Sequence, residues 1–234
     1  MDAENKDSSR LVITADGSHS VWNAQVGQHY HSQFGAVQES WRVFIELGLW
    51  EAFRRFDEIR VFEMGFGTGL NALLTWLEAE KWGRLVRYTA VETHPLPMAE
   101  ARRLNFDEVL KTTHTNALHD APWHDGPAGA DVPLSPYFQL TKHQTRLQDF
   151  RSGRASVELP FNLVYYDAFA PEGQPELWTR EIFEQLARTM QPGGLLTTYC
   201  SKGYVQRNLK AAGFVVEKHA GPARKREVLR AILQ

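Results

Sequence analysis

Glu63, Gly65, Gly67 and Gly69 occupy every second position between two apolar runs. The first run is Ile59, Val61, Phe62 and Met64, and the second begins at Leu70 with Ala72, Leu73, Leu74, Trp76 and Leu77. Glycines in such a strand–turn–helix passage let backbone N–H groups come close to a ligand at a helix N-terminus. That arrangement suits a nucleotide-type cofactor. A second chemistry-bearing run, Tyr165-Tyr166-Asp167-Ala168-Phe169-Ala170-Pro171, sets a carboxylate at the end of another apolar stretch.

Spacing decides between two cofactor classes. A dinucleotide turn needs a small residue three positions after its second glycine, where close helix–strand packing occurs. Here that residue is Leu70, and the glycines fall at 65, 67 and 69. The form Glu63-x-Gly65-x-Gly67-x-Gly69, with its acid on the preceding strand, suits S-adenosylmethionine. A carboxylate there favours a cationic cofactor and opposes a pyrophosphate. The expected cofactor site is therefore Glu63, Gly65, Phe66, Gly67, Thr68, Gly69 and Asn71, joined by Asp167. Glu92 ends the next strand, about twenty residues on, where an acid accepts hydrogen bonds from ribose hydroxyls. Asp149, after the third strand, is placed to accept from an adenine amino group; its other reading is a solvated loop acid.

Methyl transfer from a sulfonium to an amine requires in-line approach and an unprotonated nitrogen, which a carboxylate can hold or deprotonate. Asp167 is the candidate for that role, against the alternative of a turn or N-cap aspartate. Phe169 is a stacking wall, with Pro171 beside it. Trp178 is assigned to the substrate side, although its spacing with Ile182, Leu186 and Met190 also fits a core position.

These residues need a frame of alternating strands and helices. Asp16-Gly17 marks a hairpin between Leu11, Ile13 and Ser20, Trp22. An amphipathic helix over 37–53, interrupted at Gly48, follows. Strands are expected at 59–64, 85–91, 137–143, 161–166 and 195–200, and helices at 68–79, 97–110, 175–190 and 203–212, with Pro192-Gly193-Gly194 ending the third. Segments 214–219 and 226–233 are too closely connected for a parallel crossover and must pair antiparallel. The expected fold is α/β: a Rossmann-like, mostly parallel seven-stranded sheet with an antiparallel C-terminal hairpin. Residues 1–55 form a β extension and helix, and 56–234 the main domain. The stretch 111–136, rich in Pro and Gly without periodicity, reads as a mobile loop near the site mouth.

The chain has 234 residues, a net charge of −2 and one cysteine, Cys200. A disulfide framework and a cysteine zinc site are thereby excluded. The nine histidines are scattered, with His29 and His31 alternating and His114, His119 and His124 in the irregular stretch, so no metal is expected. No run is long and apolar enough to span a membrane, and no signal sequence is present; a cytoplasmic protein is expected. The balanced charge hides a basic C-terminal region containing Lys202, Arg207, Lys210, Arg224, Lys225 and Arg226. At the tip of the final hairpin, Arg224-Lys225-Arg226 suits phosphates, unless the charges only solubilise the loop.

The glycine turn, the Asp-Ala-Phe-Ala-Pro run with Pro175-Glu176-Leu177-Trp178, Pro192-Gly193-Gly194 and the ending through Arg224-Lys225-Arg226-Glu227 resemble the MnmC-like methyltransferases. Asp16-Gly17-Ser18, Tyr30-His31-Ser32 and Gly35-Ala36 resemble the N-terminal extension of that family's stand-alone form. The resemblance implies a class I S-adenosylmethionine-dependent methyltransferase that acts on the 5-aminomethyl group of wobble uridine 34 in tRNA. The anticodon stem-loop would be the partner, bound through Lys202, Arg224, Lys225 and Arg226, with no fused FAD oxidoreductase domain. The alternatives are an N-methyltransferase for a small amine and a non-catalytic tRNA-binding module; Leu70 and the antiparallel ending oppose a nicotinamide oxidoreductase.

Overall fold

Val61 and Phe62 show how the central strand is covered: Val61 packs into the apolar cluster on one face and Phe62 into the cluster on the other. A strand buried on both faces is the mark of a parallel sheet layered between helices. The computed structural model describes residues 10–126, 129–150, 160–222 and 225–234. Its strands are β1 (Arg10–Ile13), β2 (His19–Asn23), β3 (Gln28–His29), β4 (Ile59–Met64), β5 (Val86–Glu92) and β6 (Trp123–Asp125), then β7 (Val132–Ser135), β8 (Phe138–Gln144), β9 (Phe161–Tyr166), β10 (Met190–Thr198), β11 (Phe214–Ala220) and β12 (Glu227–Leu233).

The main sheet runs β11-β12-β10-β9-β4-β5-β8-β6, with β7 added on β8. Neighbours from β10 to β6 are parallel, while β12 is antiparallel to both β10 and β11. The doubly wound α/β class with its antiparallel ending is thus present, but the sheet has nine strands, the short β6 and β7 adding to the expected seven beside β8. Strand order reverses at β4, so the crevice opens beyond the carboxyl ends of β4, β5 and β9.

β1–β3 form a separate sheet in which β1 and β2 pair antiparallel about Asp16-Gly17, with Leu11 opposite Val21 and Val12 opposite Ser20. A continuous helix over 36–55 follows, with a π-helical middle at Trp41–Leu49. Gly48 lies in that middle, where a Cβ would come within 3.1 Å of the Tyr165 ring. The glycine therefore brings the helix close to the sheet and does not interrupt it. Val21, Phe44 and Ile45 share one apolar cluster with Ile59, Leu73 and Leu163.

Three further expectations are corrected. Residues 111–136 are not one irregular loop: they hold the helix Thr115–Asp120 and strands β6 and β7. Elements this short show no period, and their stability comes from docking. Leu118 enters the core, and the buried Lys142 donates to the carbonyls of Leu118 and His119 at 3.1 and 3.0 Å.

The helix expected over 97–110 is two short ones, Met98–Ala101 and Phe106–Leu110. Between them, Asn105 accepts from the His19 N–H at 2.8 Å and donates to the Gly17 carbonyl at 2.9 Å. Its side chain serves the hairpin instead of the helix.

The helix expected from 175 begins as a 3₁₀ turn, Pro175–Leu177, and becomes α-helical at Arg180–Ala187, capped by Thr179. Pro192-Gly193-Gly194 does not end it. That run lies inside β10, where the register shifts between Met190 and Leu195.

Candidate active site

A cavity of about 300 Å³ opens at the carboxyl ends of the central strands. Its floor is Met64, Gly65, Phe66 and Gly67, one side is Glu92, Thr93 and His94, and the other is Asp167 to Ala170. Its roof comes from the N-terminal extension, including Asn23, Gln28, Tyr30 and His31.

The floor is built by close approach. Gly65 has φ 89°, and a Cβ there would lie 2.7 Å from the Asp167 carbonyl oxygen. Gly67 has φ 51°, and a Cβ would lie 2.7 Å from the Tyr30 ring. Both positions need glycine for conformation and for space. The Phe66 ring is itself core, lying 5.3 Å from Trp123 and under the Lys142 ammonium. Thr68 is buried too, with its hydroxyl 2.7 Å from His31 Nε2 and its carbonyl accepting from His119 Nε2 at 3.1 Å. Burial lowers both histidines to about 4, so they are neutral at physiological pH.

Asn71 and Glu63 lie below the floor. The Asn71 Nδ2 amide donates to Glu63 Oε1 at 3.0 Å and to Asp167 Oδ2 at 2.8 Å. Burial, with the charges of Asp167 and Glu92, pushes Glu63 well above the usual carboxylate range. Burial also raises Asp167 to about 7, against the lowering effect of the Asn71 hydrogen bond. One amide thus links an acid kept neutral to an acid poised near neutrality. Only Asp167 of the two lines the cavity.

The loop carrying Asp167 is clamped along its backbone. The Asp167 N–H donates to the Met64 carbonyl at 3.0 Å, and the Ala168 carbonyl accepts from Tyr199 Oη at 2.9 Å. The Phe169 carbonyl accepts from Trp178 Nε1 at 2.9 Å, and the Ala170 N–H donates to Gln28 Oε1 at 2.9 Å. Phe169 faces the cavity against Tyr30, with ring centroids 5.0 Å apart. Tyr166, inside β9, donates its hydroxyl to the Leu177 carbonyl.

Trp178 is only 1% exposed, so its expected substrate contact is corrected: it reaches the site only by holding Phe169 in place. Asp149 is exposed, 4.0 Å from Arg146 and off the cavity lining, which is its alternative reading. Pro171 is buried behind the loop, Lys202 pairs with Glu172, and Arg226 is exposed. Arg224 lies outside the described residues.

Lys225 does not project from the hairpin tip. It lines the cavity, paired with Glu39, with its ammonium 4.2 Å from the centroid of the Tyr199 ring. Sequence reasoning missed Glu39, Gln28 and Tyr30 as site residues. Their one signal was the Tyr30-His31-Ser32 segment, which has no chemistry of its own until the extension folds over the glycines.

The residues fit S-adenosyl-L-methionine. Glu92 reaches into the cavity from the end of β5, fixed by the N–H groups of His94 and Gly67 at 3.0 and 3.1 Å. A fixed carboxylate is an acceptor set for a ribose diol. The glycine floor admits a ligand against bare backbone.

The family model of S-adenosyl-L-methionine-dependent methyltransferases matches residues 138–234. The bifunctional tRNA 5-methylaminomethyl-2-thiouridine biosynthesis protein MnmC of Burkholderia mallei is 35% identical over 238 residues, covering 94% of this chain. The MnmC of Burkholderia pseudomallei matches equally, at 35% identity over 94% of this chain. This chain's C-terminal part thus matches the S-adenosyl-L-methionine-dependent methyltransferases, and nearly the whole chain is similar to the MnmC proteins. It spans about a third of the length of these relatives, 34%.

Among solved structures, MnmC2 from Aquifex aeolicus superposes with a TM-score of 0.77 at 24% identity, covering 99% of this chain and 72% of that one. Spermidine synthase from Thermotoga maritima superposes at 0.50 and 13% identity, covering 97% and 71%. These likenesses concern the fold alone. Open α/β sheets bind their ligands beyond the carboxyl ends of the strands, at the point where strand order reverses, and the cavity lies there. No helix among the described residues is long and apolar enough to cross a membrane, and no group of three or more His, Cys, Asp or Glu there is placed to hold a metal ion.

Proposed function

We propose that this methyltransferase acts on a primary amine, the 5-aminomethyl group of wobble uridine 34 in tRNA. The observation that carries the reading is Asp167: a clamped carboxylate, raised to about 7, opening on the cavity that Gly65, Gly67 and Glu92 line. The MnmC relatives are named for biosynthesis of tRNA 5-methylaminomethyl-2-thiouridine, which supports the choice of amine.

S-adenosyl-L-methionine supplies an electrophilic methyl group on a sulfonium. Glu92 and the backbone of Gly65 to Gly67, which line the cavity, would hold the donor. Asp167 takes a proton from the substrate ammonium, which frees the nitrogen lone pair for in-line attack. A base is most effective when its pKa lies near the working pH, and Asp167 meets that condition. Glu63, kept neutral, leaves Asp167 the single anion of the pair. Tyr30 and Phe169 wall the cavity and exclude water that would otherwise solvate and protonate the amine.

The test is incubation of the protein and labelled S-adenosyl-L-methionine with tRNA carrying unmethylated 5-aminomethyluridine, followed by nucleoside analysis. A labelled 5-methylaminomethyl nucleoside is expected. Label appearing only in added small amines, or none in tRNA, overturns the reading.

A further inference from the structure

Glu39 and Lys225 stand 186 positions apart in the sequence and meet in the cavity wall. Glu39 is 7% exposed, and neither of its oxygens is idle: Oε2 accepts from the Ser32 N–H at 2.9 Å and Oε1 from Lys225. The Lys225 ammonium also lies over the Tyr199 ring, whose hydroxyl holds the Ala168 carbonyl directly after Asp167. Carboxylate, ammonium, ring and Asp167 line one cavity. A charge pair with one partner buried gains little stability over an apolar pair, so its presence beside a titrating acid calls for another reason.

We propose that Lys225 and Glu39 are a positioning pair that sets the protonation of Asp167. Neither is a proton carrier in the reaction. The ammonium favours the Asp167 carboxylate and the Glu39 charge opposes it, and their tether fixes the balance between the two. The other groups about Asp167 are Glu63 from β4, Asn71 from the helix Leu70–Trp82, Tyr88 from β5 and Tyr199 after β10, with Glu92 and His31 lining the same cavity; of these, burial holds Glu63 and His31 neutral and Tyr88 and Tyr199 protonated. Lys225 is then the cation that offsets Glu39. A fixed cation at this place also disfavours a substrate ammonium, the form that cannot accept a methyl group. Only this last consequence rests on the amine-methylation reading.

The experiment titrates Asp167 directly by carbon-13 NMR of protein labelled at the aspartate side-chain carboxyl carbon, with D167N identifying the resonance, and records kcat/KM against pH on aminomethylated tRNA. Lys225→Met should raise the Asp167 midpoint by about half to one pH unit, the size of effect one nearby charge exerts at a partly solvated site. Glu39→Gln keeps the acceptor for Ser32 and should lower it. Lys225→Arg should restore the wild-type midpoint, and the acidic limb of kcat/KM should follow each shift. A purely structural pair predicts loss of activity without opposite displacements. Midpoints that stay put in folded Glu39→Gln or Lys225→Met proteins, that move in the same direction in both, or that move in Lys225→Arg as far as in Lys225→Met, overturn the proposal. Opposite NMR shifts in a protein that methylates no tRNA sustain the pair's role and defeat only the functional reading.

Discussion

Asp167 titrates near 7 because burial outweighs the hydrogen bond from Asn71, and this fixes two measurable behaviours. As a base it must be ionised, so kcat/KM should rise with pH through about 7 and level off above. Asp167→Asn removes the acceptor and should slow transfer by about 10²–10⁴-fold. Affinity for S-adenosylhomocysteine, measured by calorimetry, should stay within about threefold, since the proposed function assigns the donor to Glu92 and the glycine floor. Equal loss of both would make Asp167 structural. The stability consequence has the opposite sense. A carboxyl whose folded pKa is raised binds more protons folded than unfolded, so its contribution is complete below the unfolded value and disappears as pH rises through 7. Asp167→Asn should therefore be more stable than wild type at pH 8, by about 1–2 kcal/mol once cavity exposure is discounted. The Asn71 amide can turn its unpartnered Oδ1 toward the new donor.

Glu92 behaves differently. It is anchored by two backbone N–H groups, and Glu92→Ala should weaken S-adenosylhomocysteine binding roughly 10–100-fold while the fold persists.

At the scale of elements, His31 ties the N-terminal extension, and His119 the helix Thr115–Asp120, to Thr68 of the glycine turn. Both imidazoles are buried neutral and lowered to about 4. A base with a depressed folded pKa binds fewer protons in the native state. Its contribution is intact above the unfolded value, near 6.5, and is lost as pH falls toward 4. Urea unfolding at successive pH values should show stability falling over that window, and His119→Gln should flatten the fall. An unchanged slope in the variant would remove His119 from the acid response.

How far the sequence carried the fold depends on element length. β4, β9 and the antiparallel ending were legible because each has enough alternating or apolar positions to set a period. The helix and strands within 115–135 were not, since three to six residues carry no period and their order comes from docking under Phe66 and Lys142. That the glycine turn would line a cavity was legible because its signal is local. The roof was not, because Tyr30, Gln28 and Glu39 gain their roles only when distant segments come together.

Over the whole molecule, net charge is −2, so the tRNA affinity that the proposed function requires must come from local basic surface. The structure divides the late cations into two groups. Lys225 faces the cavity and Arg230 is tied to Glu217 at 2.7 Å, whereas Arg207, Lys210 and Arg226 are exposed. Lys202 is also exposed, though paired with Glu172, an exposed ion pair worth little and easily exchanged for phosphate. Each phosphate neutralised by a cation releases counterions and steepens the fall of affinity with salt. Replacing Lys202, Arg207, Lys210 and Arg226 with glutamine should weaken binding of tRNA and flatten the plot of log affinity against log salt by about one unit for each phosphate left without its cation. Because these side chains stand outside the cavity, transfer to a free 5-aminomethyluridine nucleoside should be unchanged in the same variant. Lys225→Met should do the reverse, leaving the salt slope in place and altering the pH profile of transfer. A salt slope that survives the fourfold change would put the tRNA face elsewhere, and the exposed side of the N-terminal extension, which borders the same cavity, would be the surface to probe next.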